Sequence, residues 1–365
     1  MGFQCGIVGL PNIGKSTLFN ALTATAAAEA ANYPFCTIEP NIGRVSVPEP
    51  RLDILSVLNK SVKITPAQLD FVDIAGLVAG ASTGEGLGNQ FLANIREVDA
   101  IAHVVRCFGG TEVAHDGPLD PISDVEIVET ELMLADLESL ERRLKPLEKK
   151  AKGGDADAIE MKNMIERCMA VLREGIPARD VKRTPDEEPI LKQMQLLTAK
   201  PMMYVCNVEE ESAANGNEYS DRVAEWAVTH GAVSVVISAA IEAEISLLDD
   251  EDEKKEFLDS LGLTETGLTR VIRAGYGLLN LITYFTSGPT ETRAWTISGN
   301  TRAQDAAGVI HTDFARGFIS AETIAYDDYV ACGGEQAAKE AAKVRKEGRD
   351  YIVHDGDVIL FRFNV

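Results

Sequence analysis

Residues 9–17 read GLPNIGKST, a G-x-x-x-x-G-K-[ST] pattern. An apolar run, FQCGIVG (3–9), precedes it and a helix-forming run, KSTLFNALTAT (15–25), follows, so the pattern sits at a strand-to-helix turn. That context separates a phosphate loop from a glycine-rich turn that matches by chance. Gly9 and Gly14 let the backbone curl, and N–H groups from Asn12, Ile13 and Gly14 through Thr17 face a phosphate at a helix N-terminus. Lys15 then reaches the β- and γ-phosphates, and the Ser16 hydroxyl is a Mg²⁺ ligand. Asn12 is also placed to help coordinate a monovalent cation such as K⁺, an occupant the site does not require.

Further apolar runs at LDFVD (69–73), AIAHVVRC (100–107), MMYVCN (202–207) and VSVVIS (233–238) alternate with helical stretches, the rhythm of a doubly wound parallel sheet. In FVDIAGLV (71–78), Asp73 ends a strand, where a carboxylate can hold Mg²⁺ directly or through water. An Asp there is otherwise a turn or cap residue; paired with the phosphate loop it reads as a metal ligand. Gly76 can offer its N–H to a γ-phosphate. The next residue, where a switch protein carries the Gln that orients water, is Leu77, which can do no hydrogen bonding. Hydrolysis is therefore slow or uses another group. His115, in CFGGTEVAHDGPLDP (107–121), is the candidate, against the plainer reading of a solvated loop histidine. In NYPFCTIEPN (32–41), Thr37 is the hydroxyl to pair with Mg²⁺ and the γ-phosphate; the plainer reading is a β-former before a strand.

The base-reading segment is PMMYVCNVEE (201–210). A guanine clamp has Asn-Lys-x-Asp, whereas this chain has Asn207, Val208, Glu209 and Glu210. An Asp accepts from the two guanine donors; the longer Glu210 misplaces that carboxylate, and Val208 removes the stem that lies over the base. Guanine selectivity is lost on these grounds. Adenine, with an acceptor at N1 and a donor at N6, is not thereby proved gained.

Between residues 124 and 198 the rhythm breaks. Leu137, Leu140, Leu144 and Leu147, then Ile165, Met169, Leu172 and Ile176, form two narrow helical seams around KGGD (152–155), which predicts an antiparallel hairpin. Pro146 predicts a kink or restart in the first arm. After the turn-rich YFTSGPTET (284–292), RAWTIS reads as a strand, TRAQDAAGVIHTDFARGF as a helix and DYIVHDGDVILFRFNV as one or two strands, a small α+β domain.

With 365 residues and a net charge of −22, two or three domains are expected, and the surface as a whole repels phosphate backbones. Sequence-specific DNA binding is not expected. Any RNA contact falls to ERRLKPLEKKAK (141–152) or KVRKEGR (343–349), which read equally well as solvated helix faces. Six scattered cysteines without C-x-x-C suit reduced thiols, and no apolar stretch reaches bilayer length, so a soluble cytoplasmic protein with no membrane partner is expected.

Together GLPNIGKST, NYPFCTIEPN, FVDIAGLVAGASTGEGLGNQFL, NVEE and AAGVIHTDFARGFI resemble the YchF family of Obg-like ATPases, across essentially the whole chain. The resemblance implies an α/β fold: a Ras-like P-loop NTPase domain (1–123 and 199–278), an inserted antiparallel helical hairpin (124–198) and a C-terminal β-grasp (TGS) α+β domain (279–365). It implies a preference for ATP read by Asn207–Glu210, a hydrophobic residue in place of the catalytic Gln (here Leu77), and a loop histidine in hydrolysis (here His115). Ser238, Ala239 and Ala240 match the last nucleotide-binding loop. It further implies a Mg²⁺-dependent ATP hydrolase that associates with the ribosome, either its large subunit or the whole particle, through the hairpin and TGS domains, with a role in translation or stress responses. Competing readings are a GTPase with a relaxed clamp, a non-catalytic interaction protein stabilised by nucleotide and, more distantly, a metabolic kinase.

Overall fold

A computed structural model describes residues 3–32, 42–74, 87–109, 119–248 and 250–364. It divides into two compact units, Met1–Arg44 with Asp70–Val271, and Val45–Leu69 with Ile272–Val365. The strands are β1 (Gln4–Val8), β2 (Ile42–Ser46), β3 (Lys63–Thr65), β4 (Gln68–Asp73), β5 (Ala100–Arg106), β6 (Met202–Asn207), β7 (Val233–Ile237), β8 (Leu281–Ser287), β9 (Glu291–Ser298), β10 (Phe318–Ala325), β11 (Arg345–Glu347) and β12 (Asp357–Phe363). The helices are α1 (Lys15–Asn32), α2 (Pro50–Asn59), α3 (Leu87–Glu97), α4 (Pro121–Lys152), α5 (Ala156–Arg173), α6 (Glu188–Met194), α7 (Glu218–Thr229), α8 (Ala239–Ile245), α9 (Glu251–Ser260), α10 (Gly267–Leu278), α11 (Ala303–Ile310), α12 (Thr312–Arg316), α13 (Tyr326–Cys332) and α14 (Glu335–Glu340).

The first sheet has the order β2-β4-β1-β5-β6-β7, and the β4-β1-β5-β6-β7 pairs are parallel. Helices cover both faces of such a sheet, so its central strands are apolar throughout rather than alternating. Every residue of β5 and β6 is buried, as their continuous runs predict. Ile101, Val105, Tyr204 and Cys206 pack on one face with Val125, Val128 and Leu132 of α4.

Two antiparallel helices form where the seams predict a hairpin, except that Ile176 lies beyond the end of α5 and is exposed. Leu137, Leu140, Leu144 and Leu147 of α4 pack with Met164, Ile165, Cys168 and Met169 of α5. Asp155 starts α5 by accepting the Ala158 N–H at 3.1 Å. The arms are antiparallel: Arg173, at the far end of α5, meets Glu141 of α4 at 3.2 Å. Pro146 does not restart the first arm; α4 runs through it to Lys152. The lost hydrogen bond falls where Arg142 and Pro146 are both exposed, so water can satisfy the freed carbonyl.

The hairpin is anchored at its base by Asp136, which is fully buried. Its carboxylate accepts from the backbone N–H groups of Leu197 (2.9 Å) and Thr198 (2.8 Å) and from the Thr198 hydroxyl (2.7 Å), tying α4 to the segment that re-enters β6. Burial pushes its pKa up, and these hydrogen bonds pull against that shift. Nearby, Glu129 of α4 accepts from the Tyr204 hydroxyl (2.9 Å) and from Arg179 (2.8 Å).

In the second unit the sheet order is β11-β10-β12-β8-β9-β3, with β8-β9 and β10-β12 antiparallel and β12-β8 and β3-β9 parallel. Three features depart from the sequence reading. YFTSGPTET is a hairpin rather than a joint: Tyr284 and Phe285 of β8 are fully buried, and the Trp295 indole donates to Thr286 at 2.9 Å. The helix predicted over TRAQDAAGVIHTDFARGF breaks at His311, whose φ of −162° is extended and whose Nδ1 accepts the Asp313 N–H to start α12. Residues 45–69 cluster with this unit: β3 pairs with β9, although the segment's two ends lie in β2 and β4 of the first sheet.

Two measurements probe this packing. Asp136→Ala orphans two buried N–H groups and a hydroxyl, and is expected to cost about 3 kcal/mol in urea unfolding. His103 of β5 is buried and its Nδ1 has no partner; desolvation lowers its pKa from 6.5 to about 4, with Glu129 opposing. Its neutral form is the folded form, so its stabilisation is complete above pH 6.5 and declines as pH falls towards 4, by at most about 3 kcal/mol. His103→Gln should flatten that slope in urea melts between pH 7 and pH 4.5.

Candidate nucleotide-binding site

β1, β5, β6 and β7 end on the same edge of the parallel sheet, the edge where such folds bind ligands. The turn after β1 carries Asn12 at φ 61° and Gly14 at φ 88°, left-handed conformations that bend the chain into α1. A Cβ on Gly14 would lie 2.2 Å from the Asn207 side-chain nitrogen, so a larger residue is doubly excluded. Lys15 is buried and donates to Asp73 at the end of β4 across 3.3 Å. Ser16 and Thr17 are exposed at the start of α1.

Asn207 joins the loops. Its Nδ2 donates to the Ile13 carbonyl at 3.0 Å, and its Oδ1 accepts the Ala239 N–H at 2.9 Å. One side chain therefore sets the distance between the phosphate loop and the loop after β7. Beside it lies a cavity of about 300 Å³ lined by Phe108, Gly109, Asn207, Val208, Glu209, Glu210, Glu211, Ser238 and Ala240. Within that lining the buried Ser238 hydroxyl has no hydrogen-bond partner among the described residues, a polar atom left available to a ligand.

The carboxylates that line the cavity differ in engagement. Glu209 accepts from Asn217 (3.1 and 3.2 Å) and from Ser212 (3.0 Å). Burial works against its charge, but its own N–H, Asn217 and Ser212 hold it below the usual carboxylate range. Glu210 is exposed, and its side chain forms no hydrogen bond or ion pair among the described residues. Asn217 does three things: it caps α7 by accepting from Tyr219 and Ser220 (3.0 Å each), holds Glu209, and donates to the Cys107 carbonyl at 2.7 Å. Sequence reasoning missed this supporting role, although an Asn just before EYSDR is an N-cap signal. It also missed Phe108 and Gly109, which carry no motif.

Of the sequence-predicted residues, Ile13, Gly14, Lys15, Asp73, Asn207, Val208, Glu210, Ser238, Ala239 and Ala240 thus lie along this edge, with Asn12, Ser16 and Thr17 on the same turn. Thr37, Gly76, Leu77 and His115 fall outside the described residues. The donors present suit Mg²⁺: a hydroxyl on Ser16 and a carboxylate on Asp73 are hard oxygens, and such a site is completed by phosphates and water. Among the described residues no helix is long and apolar enough to cross a membrane, and the five described cysteines are free.

A parallel sheet, a glycine-bent turn with its lysine, and a strand-end carboxylate define a P-loop nucleotide hydrolase of the GTPase fold. A family model described as "50S ribosome-binding GTPase" matches residues 4–207, and the YchF GTPase C-terminal model, "Protein of unknown function (DUF933)", matches 281–364. The chain is 58% identical over 366 residues to the "Ribosome-binding ATPase YchF" of Haemophilus influenzae and 51% identical over 368 residues to that of Bacillus subtilis, covering all of each chain. The solved structure of the Schizosaccharomyces pombe YchF GTPase superposes with a TM-score of 0.89 at 38% identity, over 99% of this chain and 98% of that one. The chain belongs to the YchF family.

Asn207→Ala removes both hydrogen bonds at once and orphans the Ile13 carbonyl and the Ala239 N–H. Nucleotide affinity, read by fluorescence titration with a labelled nucleotide, is expected to fall by roughly tenfold or more.

Proposed function

We propose that the chain is a Mg²⁺-dependent ATP hydrolase that prefers ATP to GTP, turns over slowly, and acts as a nucleotide-dependent switch on the ribosome. The observation that carries the base preference is the division of labour in NVEE: Glu209 is held by Asn217 and Ser212, while Glu210 stands unengaged in the cavity. The carboxylate left to meet a base is thus the longer side chain at the fourth position of the clamp, reached past Val208 rather than a lysine. The Ser238 hydroxyl adds a group that can accept from an exocyclic amine.

In this reading the backbone N–H groups of residues 12–17 and the Lys15 ammonium hold the phosphates. Ser16 and Asp73 would hold the metal ion, with Thr37 as a further ligand; the ion supplies neutralisation of phosphate charge when bound. Lys15 then exchanges its contact with Asp73 for the β- and γ-phosphates. Gly76 offers an N–H to the γ-phosphate, and with Leu77 unable to orient water, His115 takes that role. A nucleotide that binds both ends of this edge favours a closed arrangement of residues 32–41 and 73–90, and hydrolysis releases it. Ribosome association, which the names of the bacterial relatives carry, is assigned to the helical hairpin (124–198) and the TGS domain (279–365), the two elements outside the nucleotide site.

Calorimetric titration of nucleotide-free protein with Mg-ATP and Mg-GTP side by side tests the base reading. Tighter ATP binding is expected, and equal or tighter GTP binding would favour the relaxed GTPase instead. A non-hydrolysable ATP analogue should change co-sedimentation with ribosomes; an unchanged pellet would remove the switch.

A further inference from the structure

Arg106 ends β5, the strand between β1, which leads into the phosphate loop, and β6, which ends at Asn207. It is 6% exposed, and its Nε is buried without a hydrogen-bond partner among the described residues. No ion pair to it exists among the described residues. Its neighbours Val105 and Cys107 pack against α4, so strand alternation sends the Arg106 side chain to the opposite face. Its register partner on β6 is Asn207, whose amide turns to Ile13 and Ala239 on that same face. The guanidinium therefore leaves the sheet on the face that carries the Asn207 amide, which itself contacts the phosphate loop.

A guanidinium stays charged at any physiological pH, and burying it without a counter-charge is costly. The apolar stem alone would be packed as well by Met, so packing gives no reason for a charge here. A nucleoside triphosphate brings several negative charges to the phosphate loop. We propose that Arg106 is a determinant of nucleotide affinity, a buried cation whose charge is compensated by the phosphates of the bound nucleotide. This rests on the reading of the site as a nucleoside triphosphate site and adds to it a residue outside the phosphate-loop, Asp73 and NVEE motifs.

The test measures two quantities on the full-length protein: melting temperature without nucleotide, and affinity for Mg-ATP by calorimetry. Arg106→Met is expected to melt at or above the wild-type temperature while ATP binding weakens by about tenfold or more. A residue that merely packs would move the other way, lowering the melting temperature and leaving affinity unchanged, and that result would overturn the proposal. Arg106→Gln and Arg106→Lys carry the test if the Met variant does not fold. The neutral Gln should lose affinity while Lys keeps most of it, and equal binding by wild type and both variants would overturn the assignment. A wild-type protein that binds no nucleotide would instead overturn the reading of the whole site.

Discussion

The amide of Asn207 spans two loops, at Ile13 and Ala239, that lie far apart in the sequence. It donates to a carbonyl 194 residues away and accepts from an N–H 32 residues on. Both bonds are buried, so neither can be exchanged for water without cost. The turn before α1, the cavity beside Asn207 and the start of α8 are all tied to it. Gly14 is bound by the same constraint, since only a residue without Cβ lets the turn pass so close to that amide.

Buried carboxylates do comparable work elsewhere in the first unit. Asp136 ties the base of the hairpin to residues 197–198, and Glu129 joins α4 to Tyr204 and Arg179. Glu242 of α8 accepts from the N–H groups of Gly267 (2.7 Å) and Leu268 (3.2 Å), where a negative charge also suits the start of α10. In each case the anion is matched to backbone donors or an arginine rather than left in the core. Tyr204 lies on the same strand as Asn207, so the strand that ends at the cavity is also hydrogen-bonded to the hairpin helix.

The parallel sheet was legible because its central strands β5 and β6 are buried on both faces and its other strands carry short apolar runs; β1, β4, β5, β6 and β7 all stand where those runs predict. The hairpin was legible from its leucine spacing. The second unit was harder. Its β8–β9 hairpin turns at Gly288 and Pro289, and turn residues beside polar, half-buried strands resemble a linker when read locally. Likewise, the periodicity of residues 301–318 gives no sign that His311 leaves helical geometry, where its extended backbone and side chain cap the short helix that follows. The assignment of residues 45–69 to this unit depends on pairing with β9, more than 200 residues later, which no local pattern encodes.

For the site, the chain itself determined the chemistry: a phosphate loop with Lys15 and Ser16, a strand-end Asp73, an Asn207 followed by Glu instead of Asp, and a Leu where water would be oriented. Those are matters of residue type and spacing within short segments, and sequence contains them completely. Tertiary structure decided which carboxylate is spent and which is free. Glu209 and Glu210 are adjacent and chemically alike, yet only Glu209 lies within reach of Asn217, because the N-terminus of α7 folds back beside the end of β6. It also decided that Arg106 lies buried, with no ion pair among the described residues, on the face it shares with Asn207. Register, burial and the pairing of charges are properties of surfaces brought together from distant parts of the chain, and they exist only once it has folded.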